Sequence, residues 1–141
     1  MDLQRALILG VLVMTVTALV LSGRLLAWHR FERLRAAGRD ALWESLGTVP
    51  DGRPTVVAFS TPGCAACWTA QKPALAALEV RARNRVRVIA VDAVEQPEVA
   101  RAFGVMTVPA TVVLDQSGGV LAASQGFATT DQLAAQLRLG D

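Results

Sequence analysis

The sequence predicts an α/β domain carried behind an N-terminal transmembrane helix. Three observations predict it. The run Thr55-Val56-Val57-Ala58-Phe59 is apolar, rich in β-branched residues and of strand length, and Ser60-Thr61-Pro62-Gly63 then breaks it with turn residues. A helical pattern follows, then a second apolar strand over 86–91; strand, helix and strand in that order make a right-handed βαβ unit. The chain is 52% hydrophobic with a mean hydropathy of +0.39, and the excess sits in residues 6–23, which hold no charge. A length of 141 residues accommodates one domain of ordinary size and an appendage.

The apolar run 6–23 is near the lower limit for a spanning helix. Leu25, Leu26, Ala27 and Trp28 extend it past Arg24, whose long side chain can snorkel, and Trp28 suits the interfacial belt. A cleaved signal peptide is the competing reading, with Arg5 as a thin basic start and Val20-Leu21-Ser22 as a cleavage site. The run is long for a signal core and basic residues follow it at once, so residues 1–23 read as a membrane anchor. Residues 24–46 read as a basic amphipathic linker helix. Trp28, Phe31, Leu34, Gly38, Leu42 and Ser45 fall at helical spacing, with Arg30, Arg33, Arg35 and Arg39 largely elsewhere. The basic side can meet anionic headgroups, which makes membrane lipid an expected partner; a solvated linker is the plainer alternative. His29 reads as an interfacial residue. The last turns, 41–46, can already belong to the folded domain, and 47–54 is a loop by its Gly, Pro and Asp-Gly content.

Cys64 and Cys67 are the only cysteines, two residues apart, where a helical pattern begins. A strand, a tight turn and Cys-x-x-Cys at a helix start read as a dithiol redox site. Only a thiolate attacks a disulfide, and free N–H groups with the helix dipole stabilise negative charge at a helix N-terminus. Cys64 falls there. Cys67 lies one turn later on the same face, within reach of Cys64. One thiol attacks and the other resolves the mixed disulfide. A pair of buried structural cysteines is the bland alternative. Zinc needs three or four protein ligands, and the chain offers two cysteines and a remote His29. Haem attachment needs a histidine after the second cysteine, where Trp68 stands. Copper is excluded less strictly, since Met106 could lie near.

The remaining chain reads in order. Residues 66–82 are helical, with Pro73 inside the run and a kink expected there. Arg81, Arg83, Arg85 and Arg87 follow; with a net charge of only +2 and no interleaved aromatics they read as a solvated face, not a nucleic-acid patch. Pro97 starts a short helix through Phe103, residues 110–114 form a strand, and Asp115-Gln116-Ser117-Gly118-Gly119 turns it into a paired strand over 120–124. Thr130 and Asp131 are candidate caps for a last helix over 132–139.

From about Gly47 onward the chain resembles the thioredoxin family. The matching residues are Phe59 through Cys67, Val88-Ile89-Ala90-Val91-Asp92, Phe103-Gly104-Val105-Met106-Thr107-Val108-Pro109-Ala110-Thr111, Asp115 with Gly118-Gly119, and Gly126. The resemblance implies a thioredoxin-like fold over 47–141, a central mixed sheet with helices on both faces. It implies that Pro109 is a cis-proline beside the cysteines, and that the Val108 backbone offers strand-like hydrogen bonds to an extended substrate. The chain also departs from the family. Ala58 replaces a buried aspartate and Val88 its lysine partner; Gly63 replaces a tryptophan; Ala65-Ala66 replaces Gly-Pro; and the helix proline comes one position late, at Pro73.

The expected function is a membrane-anchored thiol–disulfide oxidoreductase, with Cys64 as nucleophile, Cys67 as resolving thiol, and Val108 and Pro109 as substrate-binding residues. No metal and no organic cofactor is expected. Protein disulfides or dithiols are the expected substrates, with an unidentified partner that recharges the site and no nucleic acid. A tethered binding or scaffold module with little redox turnover is the alternative, since fold alone proves no activity. Two arguments conflict over the side of the membrane. Anchored thioredoxin-like proteins of bacteria often face outward. Arg24, Arg30, Arg33, Arg35 and Arg39 after the apolar run outnumber the charge before it and favour a cytoplasmic domain by the positive-inside rule.

Overall fold

The computed structural model describes residues 2–139; Met1, Gly140 and Asp141, the outermost residues of the expected anchor and domain, lie outside the described residues. The chain divides into two compact units, Met1–Arg33 and Leu34–Asp141. Helix α1 (Leu3–Ala36) is a single run of 34 residues. Its most apolar 18-residue window has a mean hydropathy of 2.4 and none of it is buried, so α1 is long and apolar enough to cross a membrane. The hydroxyls of Thr15, Thr17 and Ser22 donate to the carbonyls of Leu12, Val13 and Ala18 at 2.8, 2.7 and 2.7 Å, which leaves no side-chain donor idle on that apolar surface.

One linker helix over 24–46 is not what forms. Helix α1 continues through Arg24 to Ala36, and a separate helix α2 (Arg39–Leu46) follows a break at Gly38. Gly38 takes φ 85°, a left-handed conformation that glycine adopts without a Cβ clash. The folded unit accordingly begins before Gly47. Leu34, Leu42 and Trp43 are 6%, 1% and 4% exposed and belong to its core.

The unit is built on one four-stranded sheet in the order β2-β1-β3-β4, with β1 at Thr55–Ser60, β2 at Arg87–Asp92, β3 at Ala110–Leu114 and β4 at Val120–Gln125. Strand β1 pairs parallel with β2 and antiparallel with β3, and β3 pairs antiparallel with β4, so the sheet is mixed. Side chains alternate across the sheet plane. Val57 and Phe59 face a core shared with α2, with α4 (Pro97–Ala102) and with Phe103. Val56 and Ala58 face the opposite core, formed with α3 (Lys72–Ala82) and α5 (Thr130–Gln136). Both faces are therefore covered by helices. This is why β1 reads as a continuous apolar run rather than an alternating one.

Two helix boundaries differ from the sequence reading. Helix α5 starts at Thr130, and its cap is Thr129 rather than Thr130 or Asp131. The Gln132 N–H donates to Thr129 Oγ1 at 3.1 Å and the Thr129 N–H donates to Gln132 Oε1 at 2.9 Å, a reciprocal capping box. The helix after the cysteines does not simply kink at Pro73. Residues Cys67–Gln71 form a π-turn, in which the Lys72 N–H bonds the Cys67 carbonyl, and α3 resumes with Pro73 in its first turn. In an unbroken α-helix the proline ring would press on the carbonyl of Thr69, four residues back. The wider turn relieves that contact.

The β3–β4 turn fastens α2 to the sheet. Burial pushes the Asp115 carboxyl up, but the Ser117 hydroxyl and the N–H groups of Gly119, Ser117 and Gly118 outweigh it and hold the group below its ordinary value. That cradle orders the turn so that Trp43 Nε1–H donates to the Gly118 carbonyl at 3.0 Å and Arg39 donates to the Ser117 carbonyl at 3.1 Å. Gly118 has φ 91°, and a Cβ there would run into the Trp43 indole and the Pro50 ring. Gly118→Ala is therefore expected to cost about 2–4 kcal/mol, through left-handed strain and a core clash together. The measurement is the urea midpoint of the full chain in detergent, and a midpoint equal to wild type refutes the latch.

Candidate active site

Strand β1 ends at Ser60, and the chain reverses at once: the Cys64 N–H donates to the Thr61 carbonyl at 3.2 Å. The turn delivers Cys64 to the first residues of the helix, where backbone N–H groups lack intrahelical partners. Cys64 and Cys67 are joined as a disulfide, with Cα atoms 5.3 Å apart. The two sulfurs have different surroundings. Cys64 is partly exposed, and its Sγ accepts the Cys67 backbone N–H at 3.1 Å. Cys67 is 3% exposed. Reduction leaves Cys64 Sγ facing a fixed donor at the positive end of a helix, an arrangement that favours a thiolate.

The Val108–Pro109 peptide bond is cis, as the resemblance implies. Val108 is half-buried and Pro109 buried. A cavity of 330 Å³ has Thr61, from the turn before Cys64, and Met106, Thr107 and Val108 in its wall. The cysteine turn and the segment before the cis bond thus share one groove. Behind the pair lies a second, more apolar cavity of 420 Å³, whose wall includes Cys67, Trp68, Ala58, Val88, Ala90 and Leu75. Trp68 is 47% exposed, with the Lys72 ammonium 5.0 Å from its ring centre.

The strand register adds one neighbour. Ala58 lies beside Ala90 on β2, and Val88 lies beside Val56, so Ala90 rather than Val88 is the cross-strand neighbour of Ala58. Both side chains reach the cavity and neither carries a charge. The floor under Cys67 is therefore apolar. Sequence reasoning missed Gln71, which is 3% exposed, lines the same cavity and hydrogen-bonds the Ala128 backbone at 3.1 and 3.0 Å. The available signal was the late proline, which marks an irregular turn where an otherwise solvent-facing glutamine can point inward.

An aspartate placed at position 58 would be buried against β2 neighbours, Ala90 and Val88, that carry no charge. Desolvation would raise its pKa, so the variant is close to wild type in stability while the carboxyl stays protonated, near pH 4 or below. It loses stability as pH rises from the unfolded pKa toward the raised folded one. Ala58→Asp is expected to cost about 1–3 kcal/mol at neutral pH. Urea midpoints at acid and neutral pH check this, and equal losses at both would place residue 58 outside the buried floor.

Solved structures share this architecture, several of them thioredoxins. Thioredoxin-2 of the malaria parasite, a component of its protein secretion machinery, is 26% identical, with a TM-score of 0.55 and coverage of 59% of this chain and 79% of that one. Mitochondrial thioredoxin 3 of Saccharomyces cerevisiae, in its oxidized form, is 20% identical, with a TM-score of 0.55 and coverage of 71% and 84%. MTB dsbF, in mixed oxidized and reduced forms, is 21% identical, with a TM-score of 0.50 and coverage of 60% and 78%. At such identities the last two speak to the fold. No curated protein sequence matches the chain. The family model described as Thioredoxin matches residues 44–139, the stretch that holds the sheet, the cysteine pair and the cis bond, and the chain belongs to the thioredoxin family.

Proposed function

We propose that this chain is a membrane-anchored thiol–disulfide oxidoreductase that exchanges disulfides with protein substrates. The observation that carries the reading is the asymmetry of the cysteine pair: Cys64 partly exposed with an N–H aimed at its sulfur, Cys67 covered. In the reducing direction the Cys64 thiolate attacks one sulfur of a substrate disulfide. The substrate's other sulfur leaves as a thiolate and takes a proton from water. Cys67 then loses its proton and attacks Cys64 Sγ, which releases the second substrate sulfur. Two electrons pass to the substrate, and the Cys64–Cys67 disulfide is left for a recharging partner to reduce. The oxidising direction is the same sequence reversed. An extended substrate segment docks beside Cys64 against Val108, in the groove wall, with Pro109 next to it in the chain. No metal and no organic cofactor takes part in this scheme.

With the protein reduced, iodoacetamide at neutral pH is expected to alkylate Cys64 at least about tenfold faster than Cys67, because thiolate fraction and access both favour it. Peptide mapping of a time course measures this, and faster labelling of Cys67 reverses the assigned roles. Cys64→Ser is expected to abolish exchange. Cys67→Ser is expected to hold substrates as mixed disulfides, and failure to trap a disulfide substrate that wild type turns over counts against the two-step scheme.

The anchor is α1, and the basic residues Arg24, Arg30 and Arg33 that follow its apolar run suit anionic lipid headgroups. Five arginines on the domain side of the apolar run favour retention of that side in the cytoplasm. Alkaline phosphatase fused to the C-terminus is expected to be inactive, since it matures only when exported. High phosphatase activity would make the protein an extracytoplasmic oxidoreductase.

A further inference from the structure

We propose that Gln71 is a positioning residue that holds Cys67 in place for the second step of exchange, by fastening the π-turn to the loop that also grips the cis-proline segment. The inference rests on the reading of Cys64 and Cys67 as an exchange site. Gln71 closes the π-turn and is 3% exposed. Its Nε2 donates to the Ala128 carbonyl at 3.1 Å, and its Oε1 accepts the Ala128 N–H at 3.0 Å. One side-chain amide thus satisfies both backbone groups of a single buried residue. Ala128 follows the end of β4, and the residues just before it hold the other side of the site. The Gly126 N–H donates to the Pro109 carbonyl at 2.8 Å. Gln125 Oε1 accepts the N–H groups of Met106 and Thr107 at 3.3 and 3.4 Å, and its Nε2 donates to the Gly104 carbonyl at 3.1 Å. Residues 125–128 are therefore a buckle, with the cis-proline segment on one side and the helix of Cys67 on the other.

The buckle selects the π-turn over a regular α-turn. Regular α-geometry would bond the Gln71 N–H, not the Lys72 N–H, to the Cys67 carbonyl, and a one-residue change of register turns a side chain about 100° around the helix. Gln71 would leave Ala128, and two buried backbone groups would lose their partners. Cys67 opens this turn. Its N–H meets Cys64 Sγ, and its own sulfur must reach Cys64 when it attacks the mixed disulfide. Cys64 sits before the turn and makes its first attack toward solvent, so the clamp bears on the second step far more than on the first.

The test uses the reduced full chain in detergent and the chromogenic disulfide dithiobis-nitrobenzoate in stopped flow. Wild type is expected to release one thionitrobenzoate as Cys64 attacks and a second as Cys67 resolves. A wild type that releases fewer than two thionitrobenzoates per chain, at a reagent concentration that makes the first attack the faster step, defeats the exchange reading itself, before Gln71 is considered. In Gln71→Ala the first phase is expected to stay within about twofold of wild type and the second to slow by roughly ten- to a hundredfold, as a small misplacement of a reacting group does. Gln71→Glu makes the test internal to one protein. A protonated carboxyl offers Ala128 one donor and one acceptor, as the amide does, whereas a carboxylate offers acceptors alone and repels the carbonyl. The ratio of second- to first-phase rates, taken against wild type at each pH, is expected to be near unity in acid and to fall as pH rises through the burial-raised pKa of the glutamate. A ratio independent of pH in Gln71→Glu, or a loss spread equally over both phases in a folded Gln71→Ala, overturns the proposal.

Discussion

The constraint on which the rest depends is that β1 is buried on both faces and flanked on both sides. Every helix of the folded unit covers a surface to which β1 contributes, and β2 and β3 take its backbone hydrogen bonds. A strand so enclosed cannot slip by one residue without exchanging Val57 and Phe59 for Val56 and Ala58 across the sheet. Its end is correspondingly well defined, and the end of β1 is what sets the place of the Thr61–Cys64 turn. A rigid strand feeding a helix start is how the fold holds a sulfur at an N-terminus.

Uncharged strand positions under the pair are a property of this chain. Where two alanines face each other at positions 58 and 90, the cavity behind Cys67 is apolar. Activation of the pair then rests on the backbone, through the helix dipole and the N–H of Cys67. Backbone donors do not titrate. They stabilise a Cys64 thiolate to the same degree across the whole pH range in which the fold persists.

Much of this was legible in the residues. Strand β1 announced itself because double burial demands a continuous apolar run. The cysteine turn was legible because Ser, Thr, Pro and Gly have few other uses after such a run, and the hairpin because Asp115 through Gly119 can do little but turn. The cis bond was visible only through the resemblance carried by Thr107-Val108-Pro109. What escaped lay where one residue decides between two helical states. Gly38 sits on the apolar stripe of a helix and gives no sign that it will take φ 85° instead. Thr129, Thr130 and Asp131 are all competent caps, and the choice among them is made by Gln132 reaching back. Gln71 drew no notice, because α-helical periodicity fails wherever the turn is not an α-turn.

The π-turn has a consequence for how such a helix tolerates change in length. An extra residue in a regular helix rotates everything beyond it, and would have carried Leu75, Leu78 and Ala82 off the sheet. Here the surplus residue is absorbed locally, within the loop of chain between Cys67 and Lys72, and α3 keeps its apolar stripe on the core. The late proline and the wide turn are then one feature seen twice, in the sequence and in space. It acts as a mechanical fuse between two halves of a helix: one surplus residue in the half that carries the chemistry does not reach the half that carries the packing.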